Sequence, residues 1–232
     1  MLSDLLATKD LFFSAINTIK YPSFIQQKIY NKNWVVKKKK TKIFTEILYK
    51  NDGINLNRYS VIAIPILRIF NSINKDIKYL RALLTIGFDN NNKKGNNRIG
   101  VIPFVINKPK NFYNNTEKIN IEYIQKELIK NIKKNMSKSY AFYHAMINYG
   151  TLNSLLKKGA NHNDIVITTF NTKEKGANII KKSAGSFAGF CKFYLNIIGL
   201  ETKTHITYST SIDFDENKFL SNRNTEKLLE FN

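Results

Sequence analysis

Apolar residues recur at helical spacing in several parts of the chain, separated by shorter runs of strand-forming residues. In residues 1–30 they stand close to helical spacing, with Pro22 as a break, which predicts two short helices. The same spacing predicts further helices over Asn55–Asn71, which must accommodate Pro65, and over Ile121–Met136, Tyr140–Leu156 and Asn222–Phe231.

Six runs rich in β-branched and aromatic residues predict strands. In the last run, Ile206 and Tyr208 alternate with Thr207 and Ser209, which is typical of a strand with one face on a core. Asn, Lys and Gly dominate Asp89–Asn97, which predicts a loop. The predicted strands are Thr41–Leu48, Leu80–Phe88, Ile99–Ile106, Asp164–Phe170, Ser186–Ile198 and Thr204–Phe214.

This order of elements predicts an α/β fold in which helices cover a mixed β-sheet. No repeat or disordered linker interrupts the 232 residues, so we expect one domain over residues 1–232. Residues 1–35 are expected to form an N-terminal helical segment packed on that domain.

The formal net charge of +20 suggests binding to nucleic acid or another acidic partner, because lysines that neutralise phosphates release counterions. Only 5 of the 37 basic residues are Arg, however, whereas sites that read phosphates or bases favour Arg. Lys, Asn and Ile together make 94 of the 232 residues, and their A/T-rich codons offer a second origin for the charge. If the charge is functional, the basic surfaces are Lys37, Lys38, Lys39 and Lys40 and the lysine face that includes Lys130 and Lys134.

The number of cysteines and the length of the apolar runs indicate the cellular location of the protein. Cys191 is the only cysteine, so the chain has no internal disulfide, and we expect a cytoplasmic or other reducing intracellular location. The longest apolar run, Val61–Leu67, is too short to cross a bilayer and is followed by Arg68, so no membrane span is expected.

Residues able to transfer protons or bind metals are few. The three histidines, His144, His162 and His205, lack the spacing of a zinc site, so no metal is expected. His205 lies on the Thr207 and Ser209 side of its predicted strand and becomes a candidate base if that side lines a cleft.

Two other patterns in the sequence do not favour a catalytic role over a structural one. Asp213, Asp215 and Glu216 form an acidic group near a strand end, which a turn with a capping aspartate explains as well as acid/base catalysis does. The string Gly185-Ser186-Phe187-Ala188-Gly189 lacks the Gly-x-Ser-x-Gly spacing of a hydrolase elbow, and no phosphate-binding glycine motif is present.

Several strings resemble the coenzyme A-dependent acyltransferase superfamily, which includes chloramphenicol acetyltransferase, peptide-synthetase condensation domains and wax ester synthases. The resemblance covers roughly residues 43–231. It rests on Leu80–Phe88 followed by Gly95-Asn96, on Asp164–Asn171, which resembles a strand ending in Ser/Thr-Asn, and on Thr207–Asp213, which resembles the penultimate strand.

That superfamily uses a His-His-x-x-x-Asp-Gly motif as its general base, and this sequence contains no adjacent pair of histidines. At the matching position Phe214 follows Asp213, and phenylalanine accepts no proton. The chain therefore resembles a C-terminal lobe standing alone, which we expect to be non-catalytic without another subunit unless His205 supplies the base.

The resemblance implies a set of site residues and partners. His205 and Asp213 are the catalytic candidates, and Thr169, Asn171, Ser209 and Ser211 the substrate-binding candidates. A coenzyme A thioester is the cofactor that the resemblance implies, and a homo-oligomer or a partner lobe is the expected assembly. The alternative function is that of a basic RNA-binding or assembly component.

Overall fold

The fold is taken from a computed structural model of the chain. It describes residues 41–49, 57, 59–73, 77–88, 98–148, 164–171, 193–200, 202–210, 215–220 and 225–231. The predicted helices of residues 1–30 and the lysine run of residues 37–40 lie outside this described part, as does the whole segment 172–192.

The described elements form one sheet with helices. In chain order they are β1 (Thr41–Tyr49), α1 (Ser60–Ser72), β2 (Tyr79–Phe88), β3 (Arg98–Asn107), α2 (Glu117–Asn148), β4 (Ile165–Asn171), β5 (Phe193–Gly199), β6 (Lys203–Thr210), α3 (Glu216–Leu220) and β7 (Thr225–Phe231). The strand order across the sheet is β3-β2-β4-β5-β6-β1-β7. Strands β2, β4 and β5 run parallel, and the other neighbours are antiparallel, so the sheet is mixed as predicted.

Most predicted elements are confirmed, with differences in two helices. The two helices expected over Ile121–Met136 and Tyr140–Leu156 are one helix, α2, through Asn148. No Pro or Gly separates Met136 from Tyr140, so the backbone has no cause to break there.

The helix predicted over Asn222–Phe231 is wrong, because this segment contains β7, which pairs antiparallel with β1. Its Glu, Lys and Leu residues are good helix formers, but helix propensity is a small effect, and pairing with an existing sheet overrides it. The register shifts between Ile43 and Phe44, where Leu228 has no partner on β1, which marks a β-bulge.

Helix α1 lies at the centre of the core. The Asn57 side-chain oxygen accepts hydrogen bonds from the backbone N–H groups of Tyr59 and Ser60, each at 2.9 Å, and so satisfies donors at the helix start. The helix is apolar on nearly all sides and includes the buried Pro65. A helix of this kind is stabilised by burial rather than by propensity.

Alternation along the strands gives the sheet two different faces. The first face carries Phe44, Leu195 and Tyr208 and packs against the three helices in one hydrophobic core with Phe70 and Phe219. Residues of the opposite parity, such as Thr45, Asn196 and Thr207, form what we call the second face. The helices of the described part therefore cover the first face only.

The outer strand β3 shows how the sheet limits association at its edge. Lys108 N–H donates to Lys78 C=O at 2.8 Å, so by alternation the backbone nitrogen of Pro103, opposite Leu83, points away from β2. Proline has no N–H to offer at this edge, and Asn131 Nδ2 donates to the outward Val105 carbonyl at 3.4 Å. The edge is thus less available to a further strand.

Candidate functional site

A line of polar side chains crosses the second face, one from each of five adjacent strands. Pairing places Thr85 beside Thr168, Thr168 beside Asn196, Asn196 beside Thr207, and Thr207 beside Thr45. At the usual strand spacing the line is about 19 Å long. We call these five residues the polar row.

The threonine hydroxyls of the polar row form hydrogen bonds with backbone carbonyls of the sheet. Thr45, Thr85 and Thr168 donate to the carbonyls of Ile206, Ile167 and Leu195 on neighbouring strands, at 3.4, 3.2 and 3.3 Å. The Thr168 hydroxyl also lies 3.2 Å from Asn196 Oδ1 and 3.0 Å from the Tyr194 hydroxyl. Thr45 and Thr207 are buried, whereas Thr85, Thr168 and Asn196 are half-buried. Solvent therefore reaches the row on the β2, β4 and β5 side.

His205 lies on the second face beside the polar row, between Ile198 of β5 and Ile47 of β1. The ring is fully buried, and neither Nδ1 nor Nε2 has a hydrogen-bond partner among the described residues. Burial, together with the charge of Lys203, lowers the pKa of His205 below its ordinary value of 6.5. The imidazole is therefore neutral at physiological pH and is shielded from solvent.

The site residues expected from the sequence do not meet at one point of the described structure. Ser209 is buried on the second face of β6, four residues from His205, which separates their backbones by roughly 13 Å. Thr169 is half-buried on the first face, and Asn171 ends β4 opposite Gly199. Ser211 and Asp213 lie outside the described residues.

The described acidic residues of the predicted group have structural partners. Asp215 Oδ1 accepts the Lys218 backbone N–H at 3.1 Å and so caps α3, in keeping with the capping interpretation. Glu216 forms ion pairs with Lys42 and Lys227. The hydrogen bond from Lys42 is the main cause that lowers the pKa of Glu216 below 4.5.

A group of polar residues that the sequence analysis did not single out lies on the first face, inside the core. Glu46 of β1 is 1% exposed, accepts a hydrogen bond from the Tyr208 hydroxyl, and lies 3.5 Å from Arg68 Nε of α1. Arg68 Nη1 donates to Glu117 of α2 at 2.7 Å. We call these four residues the buried charge cluster, although the side chain of Glu117, at its outer end, is 52% exposed. The cluster connects the sheet to both long helices.

Burial shifts the ionisation of this cluster. It raises the pKa of Glu46 above its ordinary 4.5, although the Arg68 charge and the Tyr208 hydrogen bond oppose the change. It also raises the pKa of Tyr208 well above 10, so the phenol remains a donor. A glutamate directly before the apolar residues Ile47 and Leu48 and an arginine after an apolar run were the sequence signals for this cluster.

Of the lysines proposed for nucleic-acid binding, the structure describes only those on α2. Lys130 and Lys134 are exposed on α2, as are Lys126 and Lys133. Within the described residues, no group of three or more His, Cys, Asp or Glu is arranged to hold a metal ion. No described helix is long and apolar enough to cross a membrane.

Comparison with known proteins gives structural matches only. No protein-family model matches the chain, and no curated protein sequence does so. The epimerization domain from the third module of tyrocidine synthetase B matches with a TM-score of 0.55 and 13% identity, over 94% of this chain and 52% of that chain.

Weaker structural matches include two further proteins. The starter condensation domain of rhizomide synthetase has a TM-score of 0.44 at 9% identity, over 80% of this chain and 45% of that one. The wax ester synthase/diacylglycerol acyltransferase from Marinobacter aquaeolei has a TM-score of 0.41 at 10% identity, over 74% of this chain and 43% of that one.

Such low identity shows the fold alone. The match to the epimerization domain confirms the expected fold class, a mixed α/β sheet with helices. The chain spans about half the length of the structures that it matches. The protein therefore shares the fold of that epimerization domain over about half of the domain's length.

Proposed function

We propose that this protein is an acyltransferase-fold lobe that does not transfer acyl groups by itself, either degenerate or half of a split or oligomeric acyltransferase. A partner lobe or a second copy supplies what this lobe lacks. The observation that carries the proposal is the burial of His205, the candidate base named from the sequence. The side chain of His205 is fully buried in the sheet.

A general base must come within hydrogen-bond reach of the proton that it removes. The His205 ring has no exposed area, and no carboxylate of the described part of the chain bonds to it to fix its tautomer or stabilise a positive charge. Its pKa is lowered rather than raised toward neutrality, which also makes it a weaker base. The other catalytic candidate, Asp213, lies outside the described residues.

The length over which the epimerization domain matches supports the proposal that a second lobe is needed. The epimerization domain contains nearly as much chain again as the part that this protein covers. Coenzyme A thioester, the cofactor implied by the sequence resemblance, stays part of the proposal for the assembled protein only.

A monomer of the purified chain is expected to show no acyl transfer from acetyl-coenzyme A to alcohol or amine acceptors above the uncatalysed rate. The measurement is thiol release followed against acceptor concentration, with His205→Gln as the matched variant and light scattering to give the assembly mass. Wild type and variant should give the same background. Turnover that is lost in a folded His205→Gln protein would show that the lobe is an enzyme in its own right.

A second candidate, the RNA-binding or assembly component, is favoured by the exposed lysines of α2. Lys126, Lys130, Lys133 and Lys134 fall along one side of the helix within about two and a half turns. The run Lys37–Lys40 adds four positive charges to the sequence.

Replacing Lys130 and Lys134 together by Gln should reduce the salt dependence of RNA binding by about two counterions, since each phosphate contact contributes close to one. The matched control replaces Lys110 and Lys118, which are exposed elsewhere. Binding is measured by fluorescence anisotropy on a labelled RNA oligomer at several salt concentrations. An equal loss in both double variants means that only net charge matters and counts against a defined surface.

A further inference from the structure

One hydrogen bond is left unmade inside the buried charge cluster. Glu46 Oε1 and Arg68 Nε lie 3.5 Å apart, and within the described part of the chain neither atom has a hydrogen-bond partner. A bond between a charged nitrogen donor and a carboxylate is usually about 2.7–2.9 Å long. A movement of about 0.7 Å would therefore satisfy two buried polar atoms at once.

The Arg68 guanidinium already has a partner at its other end. Its Nη1 donates to Glu117 Oε1 at 2.7 Å, and the side chain of Glu117 is 52% exposed, against 1% for Glu46. Exposed ion pairs contribute little to stability, whereas a buried carboxylate ion without a bonded partner is strongly disfavoured. Arg68 thus lies between two carboxylates and is bonded to the one that needs it less once both are ionised.

Protonation of Glu46 accounts for the open inner bond. The Tyr208 hydroxyl donates to Oε2 of Glu46, so in the neutral acid the proton is on Oε1. There it faces the N–H group of Arg68, and two donors do not bond to each other. Burial raises the pKa of Glu46, which favours this neutral form. Loss of the proton turns Oε1 into an acceptor that faces Arg68 Nε.

Among the described residues, Arg68 is the cation placed to respond to a charge on Glu46. Strand β7 places Thr225 opposite Glu46, and α3 contributes Phe219 to this part of the core; neither side chain titrates. The titratable and charged residues that face Glu46 from the surrounding elements are Tyr208 of β6, Arg68 of α1 and Glu117 of α2. The charged residues nearer the start of β1 pair with one another, beginning roughly 13 Å along the strand: Lys42, Glu216 and Lys227.

We propose that Arg68 is a pH-operated latch that exchanges one carboxylate partner for another. While Glu46 is protonated, Arg68 bonds to Glu117 and joins α1 to α2. When Glu46 loses its proton to solvent, the guanidinium moves to Glu46, joins α1 to β1 and releases Glu117. The released carboxylate is in the first turn of α2, where the helix dipole stabilises a negative charge. This latch goes beyond the proposed function and holds whether or not the protein transfers acyl groups.

The test follows the full chain by NMR from below pH 4.5, the ordinary pKa of the Glu46 carboxyl, to mildly alkaline pH, with labelled glutamate carboxyls and arginine side chains. Signals are assigned with Glu46→Gln, Glu117→Gln and Arg68→Lys. As Glu46 ionises, protection of the Arg68 Nε–H against hydrogen exchange, relative to the intrinsic rate at each pH, should rise about tenfold or more, as expected of a hydrogen bond to a charged group. In Glu46→Gln that protection should not depend on pH.

Glu117→Gln gives a second test that does not depend on the core, since this side chain is half exposed. Removing the competing charge should lower the midpoint of the Glu46 titration by about half a pH unit or more and should protect the Arg68 Nε–H already at lower pH. The matched control, Glu122→Gln, removes the same charge from an exposed position on α2 and should change neither quantity.

Three results would overturn the latch. The first is a titration of Glu46 with no change at Arg68, the second is a Glu46 that keeps one protonation state over the whole pH range, and the third is an equal shift of the midpoint in the Glu117→Gln and Glu122→Gln proteins.

Discussion

Replacing Glu46 by alanine is expected to lower the free energy of unfolding by about 3 kcal/mol, the usual cost of removing one partner from a buried ion pair. The change leaves the buried Tyr208 hydroxyl without its acceptor, and it leaves Arg68 with Glu117 as its remaining carboxylate partner among the described residues. An unsatisfied buried donor alone costs about 1–3 kcal/mol. Urea unfolding at neutral pH measures the loss.

Glutamine at the same position separates the charge from the hydrogen bond. Its carbonyl still accepts from Tyr208, so Glu46→Gln should cost less than half of the loss seen with alanine. It should also change the dependence of stability on pH. The folded-state pKa of Glu46 is raised, so the native state holds its proton more tightly than the unfolded chain does.

The contribution of Glu46 to stability is complete below its ordinary pKa of 4.5 and is lost as pH rises through the raised folded value. The difference in stability between Glu46→Gln and wild type should therefore move in favour of the variant as pH increases above 4.5. If that difference is the same at every pH, Glu46 does not titrate in the way its burial requires.

The sequence predicted the sheet well because the strand signals were local. β2, β3 and β4 are apolar runs bounded by polar or turn-forming residues, and β6 has a clear alternation. β7 was missed because its pairing with β1 joins residues 179 to 190 positions apart, and local propensity carries no information about such a partner. Helix α3, only five residues long, was missed for a similar reason.

The candidate site could be predicted in part only. The side of β6 on which His205 lies follows from alternation, and the structure places it with Thr207 and Ser209 as expected. Its full burial does not follow, because β6 is covered on both faces while its sequence alternates like a half-exposed strand. The polar row needs the order and register of five strands, which no single segment contains.

Helix α3 contacts the buried charge cluster through Phe219. Its one fully buried side chain, Phe219, is 1% exposed and lies between two aromatic residues of the first face. The ring centroids are 4.7 Å from Tyr208, edge to face, and 5.2 Å from Phe44. Phe219 therefore packs directly on the phenol ring that donates to Glu46.

Phe219→Ala is expected to lower the free energy of unfolding by about 3–4 kcal/mol, the usual result of removing a buried phenylalanine ring. Phe219→Leu keeps most of the volume and should cost roughly 1–1.5 kcal/mol, since it loses mainly the aromatic edge contacts. The measurement is chemical unfolding followed by circular dichroism, with Leu220→Ala, partly buried next to it on α3, as the matched control. Leu220→Ala should cost less than half as much as Phe219→Ala. Equal losses at the two positions would show that α3 is held by general burial, and that the ring contact with Tyr208 contributes nothing specific to the cluster.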